Sequence, residues 1–121
     1  SGGEMSRIML AIKSVLADFS QLPTILFDEI DTGVSGEIAL KMGEIMKKMS
    51  QNRQVFAITH LPQIASKGDA QYKVSKETVA ENTISKIVKL NNEERIVEIA
   101  EMLSGKQITD SALTHAKTLL N

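Results

Sequence analysis

Two uninterrupted apolar runs set the frame of this chain. The first, Thr24-Ile25-Leu26-Phe27-Asp28-Glu29, stops abruptly on two carboxylates; the second, Gln54-Val55-Phe56-Ala57-Ile58, stops as abruptly on Thr59-His60. Between them, residues 35–50 carry Ile38, Met42, Ile45, Met46 and Met49 on the repeat of one helix face. Strand, helix and strand with fully apolar strands predict a βαβ unit in a parallel sheet covered on both faces. In such sheets ligands bind just beyond the carboxyl ends of the strands, where Asp28, Glu29 and His60 lie. The chemistry that this placement suggests is nucleotide hydrolysis.

The flanking patterns complete the expected elements. Ser1-Gly2-Gly3-Glu4 leads into a helical pattern with Ile8, Leu10, Ala11, Ile12, Val15, Leu16 and Phe19. A helix apolar around most of its circumference is expected to be buried in a larger assembly. Its start reads either as an anion site, with Ser1 as cap and two glycines leaving the first N–H donors open, or as a plain Ser/Gly cap. Gln21-Leu22-Pro23 breaks the chain before the first strand. Residues 30–36 form a turn-rich loop in which Ser35 is expected to cap the next helix. Asp31 in that loop reads as a turn-stabilising residue, or as one reaching a metal, a phosphate or a neighbouring subunit. Pro62 opens a short helix over residues 61–66. After Gly68-Asp69, residues 70–76 and 83–90 predict an antiparallel hairpin at the sheet edge, joined by residues 77–82. Asn92 is expected to cap a helix carrying Ile96, Ile99, Ala100 and Leu103 as far as Ser104-Gly105. Thr109 or Asp110 starts a last helix through Leu113, Ala116, Leu119 and Leu120, where His115 is an ordinary surface or packing residue.

Composition narrows the function classes. With 121 residues the chain is one domain's worth, and 42% hydrophobic and 24% charged residues are ordinary for a globular protein. A net charge of −1 with 14 scattered basic residues gives no broad nucleic-acid footprint. Aromatic residues are 3%, with no Trp, which argues against base stacking on exposed rings. The lack of Cys removes disulfides and thiolate metal sites and fits a reducing compartment. No run approaches the roughly 20 apolar residues of a membrane helix. The start on Ser-Gly-Gly-Glu, without an initiating Met, suggests a piece of something longer.

The strand-end residues have a physical reason to act together. Adjacent side chains on an extended backbone point in different directions, so one of Asp28 and Glu29 can face a cation while the other faces a water. Mg²⁺ keeps several waters and takes one or two carboxylates plus phosphate, leaving a second carboxylate to deprotonate the attacking water. His60 can donate to a phosphate oxygen or to that water; alternatively it is satisfied by local backbone.

Taken in order, S-G-G-E opening a helix, a strand ending in Asp-Glu and a strand ending in Thr-His resemble the C-terminal half of an ABC-type ATPase head. There they correspond to the signature motif, the Walker B strand and the switch histidine. Ser1-Gly2-Gly3-Glu4-Met5-Ser6-Arg7-Ile8-Met9-Leu10-Ala11, Phe27-Asp28-Glu29-Ile30-Asp31-Thr32-Gly33-Val34-Ser35-Gly36 and Thr59-His60-Leu61-Pro62-Gln63-Ile64-Ala65 are similar to the bacterial SMC-like family of recombinational double-strand-break repair.

The resemblance implies an α/β fold over residues 1–121: the C-terminal lobe of a P-loop ATPase head, with a parallel sheet core, an edge β-hairpin and C-terminal helices. It implies ATP and Mg²⁺ as ligands, with Asp28 on Mg²⁺ largely through water, Glu29 as general base and His60 on the γ-phosphate. Ser1, Gly2 and Gly3 would grip ATP bound to a second head in an ATP-sandwich homodimer, and Asp31 and Ser35 would lie in the D-loop. It implies DNA as a partner, a bacterial cytoplasmic, nucleoid-associated location and no membrane. Ser35 falls where related heads have an Asp, so a charged contact across the dimer does not carry over to it. No G-x-x-x-x-G-K-[ST] loop occurs in the sequence. The N-terminal P-loop half of the same protein is thus a further implied partner, and the chain alone is expected to be inactive. Two alternatives stay open: a head from a transporter or another SMC-type protein, and a non-catalytic interaction module.

Overall fold

The computed structural model describes residues 2–121. They form two compact units, divided between Lys67 and Gly68. The first contains α1 (Gly2–Ser20), β1 (Thr24–Asp28), α2 (Gly36–Met49), β2 (Gln54–Ile58) and the short α3 (Pro62–Ala65). β1 and β2 pair in parallel, in register from Thr24↔Gln54 to Asp28↔Ile58, and α2 is the crossover between them. The predicted βαβ unit is therefore present, and both strands end at the same edge.

Its core follows from the two periodicities. Ile25 and Phe27 point inward from alternate positions of β1 and meet Ala39, Met42, Met46 and Met49 along one face of α2. Ile30, Val34 and Ile64 close that core below the strand ends, and Leu10 and Ala17 enter from α1. Gly43 sets how closely α3 can pack on α2. A Cβ there would lie 2.9 Å from the Gln63 carbonyl oxygen and 3.0 Å from Lys67 Cγ.

Coverage on both faces is met on one face only by the described residues. Leu26, Phe56 and Ile58 on the other face are 51, 50 and 52% exposed. α1 buries Ser6, Leu10 and Ala17 and leaves Ile8, Val15, Leu16 and Phe19 exposed. An apolar strand or helix needs a partner, but its pattern does not say which chain segment supplies it.

The second unit contains β3 (Tyr72–Val79), β4 (Asn82–Lys89), α4 (Asn92–Ser104) and α5 (Asp110–Leu120). The hairpin is antiparallel as expected, but it forms a two-stranded sheet of its own and does not extend the parallel pair. Its strands also run further than expected, leaving Ala80-Glu81 as the turn, with Ala80 at φ +57°. The polar residues from Glu77 to Thr78 are strand, because on a two-stranded sheet exposed on both strands polarity does not mark where pairing stops. Lys73 reaches Glu98 of α4 at 2.7 Å.

α4 begins one residue earlier than expected: Asn91, not Asn92, is the cap. Asn91 Oδ1 accepts from the Glu94 N–H at 2.8 Å, and Glu94 Oε1 accepts from the Asn91 N–H at 2.9 Å. That reciprocal box requires a Glu three residues after the cap, which Asn92 lacks. Gly105, at φ +81°, ends the helix, and Thr109 caps α5 by accepting from the Ala112 N–H at 3.0 Å. Ile99 and Ala100 of α4 and Ala112 and Ala116 of α5 are buried.

Candidate functional site

Parallel pairing brings the end of β1, with Asp28 and then Glu29, beside the end of β2, followed by Thr59 and His60. The Glu29 N–H still donates to the Ile58 carbonyl at 3.2 Å, so the ladder runs one bond past the assigned strand. At Glu29 the backbone then turns sharply, with φ +52°, a conformation that L-residues adopt at a cost of about 1 kcal/mol or more. Thr32 Oγ1 braces the turn by donating to the Glu29 carbonyl at 3.1 Å. Asp28 and Glu29 are exposed, and the His60 side chain is 71% exposed.

Asp31 behaves differently from the turn residue its sequence context suggested. Its side chain is fully buried. One carboxylate oxygen, Oδ2, accepts from Thr59 Oγ1 and from the His60 N–H at 3.0 Å, and lies 3.2 Å from His60 Nδ1. The Leu61 N–H donates to Thr59 Oγ1 at 3.0 Å. The other oxygen, Oδ1, is buried without a hydrogen-bond partner.

The start of α1 lies against the same loop, backbone on backbone. A Cβ on Gly3 would stand 2.7 Å from the Gly33 carbonyl oxygen; one on Gly33 would stand 2.8 Å from the Gly3 nitrogen. Gly33 also sits at φ +74°, so both space and conformation call for glycine. The buried Ser6 hydroxyl completes the junction, donating to the Thr32 carbonyl at 2.8 Å with the Gly2 carbonyl at 3.0 Å. A shallow cleft of about 220 Å³ opens beside it, lined by Gly3, Arg7, Gly33 and Ser35 among others. Ser35 stands at the N-cap of α2 in extended conformation, but its side chain makes no capping hydrogen bond. Ser1 lies outside the described residues.

Of the residues singled out from sequence, Asp28, Glu29 and His60 thus share one strand edge, and Gly2 and Gly3 sit on the loop that follows Glu29. Among the described residues no cluster of three or more His, Asp or Glu could cage a metal. Asp28 fits a different role: one carboxylate for a cation that keeps its waters and takes the rest of its ligands from phosphate. Sequence reasoning quoted Thr59, Ser6 and Gly33 within its motifs but gave them no role of their own. Ser6 and Gly33 carry no pattern of their own, since their roles arise from contacts with residues far away in the chain.

The chain matches no family model. It is similar along its whole length to DNA repair protein RecN of several bacteria. Identity is 50% over 121 residues with the protein of Rickettsia conorii and 45% over 120 residues with that of Vibrio cholerae. With that of Bacillus subtilis it is 43% over 120 residues. The chain spans 21 or 22% of the length of these relatives. Among solved structures it resembles an SMC ATPase from a study of ATP-driven dimerization and DNA-stimulated activation, with a TM-score of 0.71 and 28% identity over 88% of this chain and 63% of that one. It also resembles the SMC head domain from Thermotoga maritima, with a TM-score of 0.62 and 26% identity over 75% of this chain and 33% of that one. The chain is RecN-like from end to end, and its fold is that of part of an SMC-type ATPase head.

Proposed function

We propose that the chain is the C-terminal lobe of a RecN-like ATPase head that couples ATP binding and hydrolysis, at paired heads, to DNA double-strand-break repair. The observation that carries this reading is the shared strand edge of Asp28, Glu29 and His60, with the glycine-rich start of α1 fixed to the loop that follows. Glu29 acts as general base on the hydrolytic water, and His60 contacts the γ-phosphate. Asp28 would hold Mg²⁺ largely through water, and the ion, when bound, would supply charge neutralisation at the phosphates. Ser1, Gly2 and Gly3 grip the γ-phosphate of ATP bound to the opposite head. Phosphoryl transfer depends mainly on positioning and charge stabilisation, so its parts can be divided between lobes and subunits.

The N-terminal P-loop half of the same protein completes the head. The apolar surface of α1 and the uncovered face of the parallel pair, with Phe19 88% and Ile58 52% exposed, are where a further lobe would bury area. Without that lobe the chain has no phosphate loop, and calorimetric titration of the isolated chain should detect no micromolar Mg-ATP binding.

The test is Mg-dependent ATP turnover by the complete protein, with and without Glu29→Gln. Loss of a proton-accepting carboxylate should lower kcat by about a hundredfold or more while ATP-dependent dimerisation persists. Unchanged turnover would place the base elsewhere.

A further inference from the structure

We propose that Asp31 is the positioning residue of this site: its buried carboxylate holds the His60 imidazole by Nδ1 and leaves Nε2 to meet the phosphate. The inference rests on the ATPase reading above and assigns a function to a side chain that reading does not use.

Three observations carry it. First, Asp31 is fully buried, yet its side chain does not stabilise its own turn; the turn closes through backbone, with the Val34 N–H donating to the Asp31 carbonyl at 3.1 Å. The carboxylate is spent on residues 28 and 29 positions away, Thr59 and His60. Second, three groups converge on Oδ2 while Oδ1 is left buried without a hydrogen-bond partner. A buried unsatisfied acceptor is costly, so a residue kept only for local structure would be better replaced by one without it. Third, a carboxylate oxygen 3.2 Å from Nδ1 needs a proton between them, since two lone pairs at that distance repel. A hydrogen on Nδ1 would fix both the ring orientation and the identity of the nitrogen left to face outward.

The same carboxylate holds the ring and the backbone N–H of His60, so imidazole and main chain move as one body. Asp31, which holds that body, belongs to the loop whose first residue, Glu29, is the proposed base and whose Gly33 is packed on Gly3. Asp31 thus sets the distance between the group that activates water and the group that binds the phosphate it attacks. A phosphate oxygen accepts from this ring only when Nε2 carries hydrogen as well.

Two measurements on the complete protein test this. In the first, with ¹⁵N-histidine labelling, the imidazole signals of wild type, assigned with His60→Gln, should show a hydrogen on Nδ1 of His60. Asp31→Asn should shift those signals. A wild-type ring carrying hydrogen on Nε2 alone, or signals indifferent to Asp31→Asn, would overturn the proposal. The wild-type arm needs only His60→Gln to fold, a change at a side chain that is 71% exposed.

In the second, Asp31→Asn should reduce kcat for ATP by about tenfold with little change in KM, and should have no further effect once His60 is Gln. Equal losses in both backgrounds would mean that Asp31 does not act through His60, and would also overturn it. If the wild-type protein turns over no ATP at all, the ATPase reading is what fails, and the imidazole signals alone decide the role of Asp31.

Discussion

Replacing Gly33 by Ala separates two costs that are usually mixed, because Gly36, at the start of α2, is an internal control. Gly33 and Gly36 both have positive φ, +74° and +57°. A Cβ on Gly36 would meet nothing within 4 Å, whereas one on Gly33 would stand 2.8 Å from the Gly3 nitrogen and 3.1 Å from the Gly2 carbonyl carbon. Both substitutions force an L-residue into the left-handed region, at about 1–2 kcal/mol. Both regain about 0.4–1 kcal/mol from a stiffer unfolded chain. Gly36→Ala should therefore lose only about 1 kcal/mol. Gly33→Ala must also push apart two stretches of backbone, neither of which has a flexible end to yield; overpacking of that kind adds about 1–3 kcal/mol. Its total should be about 2–4 kcal/mol. Amide hydrogen exchange of β1 and residues 29–34 in the complete protein reads both as local opening free energies. Protection should fall much further for Gly33→Ala, together with that of the first turn of α1. Equal losses in the two variants would refute the claim that the α1 start and the loop after Glu29 are locked backbone to backbone.

Further outcomes follow from other parts of the chain. Glu29→Gly should relieve the left-handed strain at φ +52° and melt no lower than Glu29→Gln, although both lose turnover; a clearly lower melting temperature for Gly would mean that the turn is not strained. Asn91→Ala should cost about 1 kcal/mol and expose the Glu94 amide to exchange, while Asn92→Ala should cost little; the reverse ranking would move the cap back by one residue. The hydrogen bond that Lys73 donates to the Glu98 carboxylate raises its ammonium above the ordinary value of 10.5, with burial opposing it. A raised folded value stabilises below the unfolded one and is lost as pH climbs through it, so Lys73→Met should flatten the pH dependence of urea unfolding above about pH 10.5. An unchanged alkaline slope would show that the pair contributes nothing.

Local pattern alone determined a good deal of this protein. The apolar runs at 24–29 and 54–58, and the one-faced helix between them, predicted a parallel βαβ unit whose ends carry Asp28, Glu29 and His60, and the strands pair that way. The order of the three motifs also pointed to the ATPase-head resemblance, because motif order survives in sequence while distances do not. Tertiary structure decided the rest, for reasons of range. Asp31 and His60 are 29 positions apart, so no local signal distinguishes a turn aspartate from one buried against the end of another strand. Gly3 and Gly33 look like ordinary small residues until their backbones are brought within contact. The hairpin reads as an edge of the parallel sheet because alternation encodes strand character but not the identity of the neighbouring strand. Periodicity reports which face of an element must be covered; only the folded chain shows which faces its own residues cover.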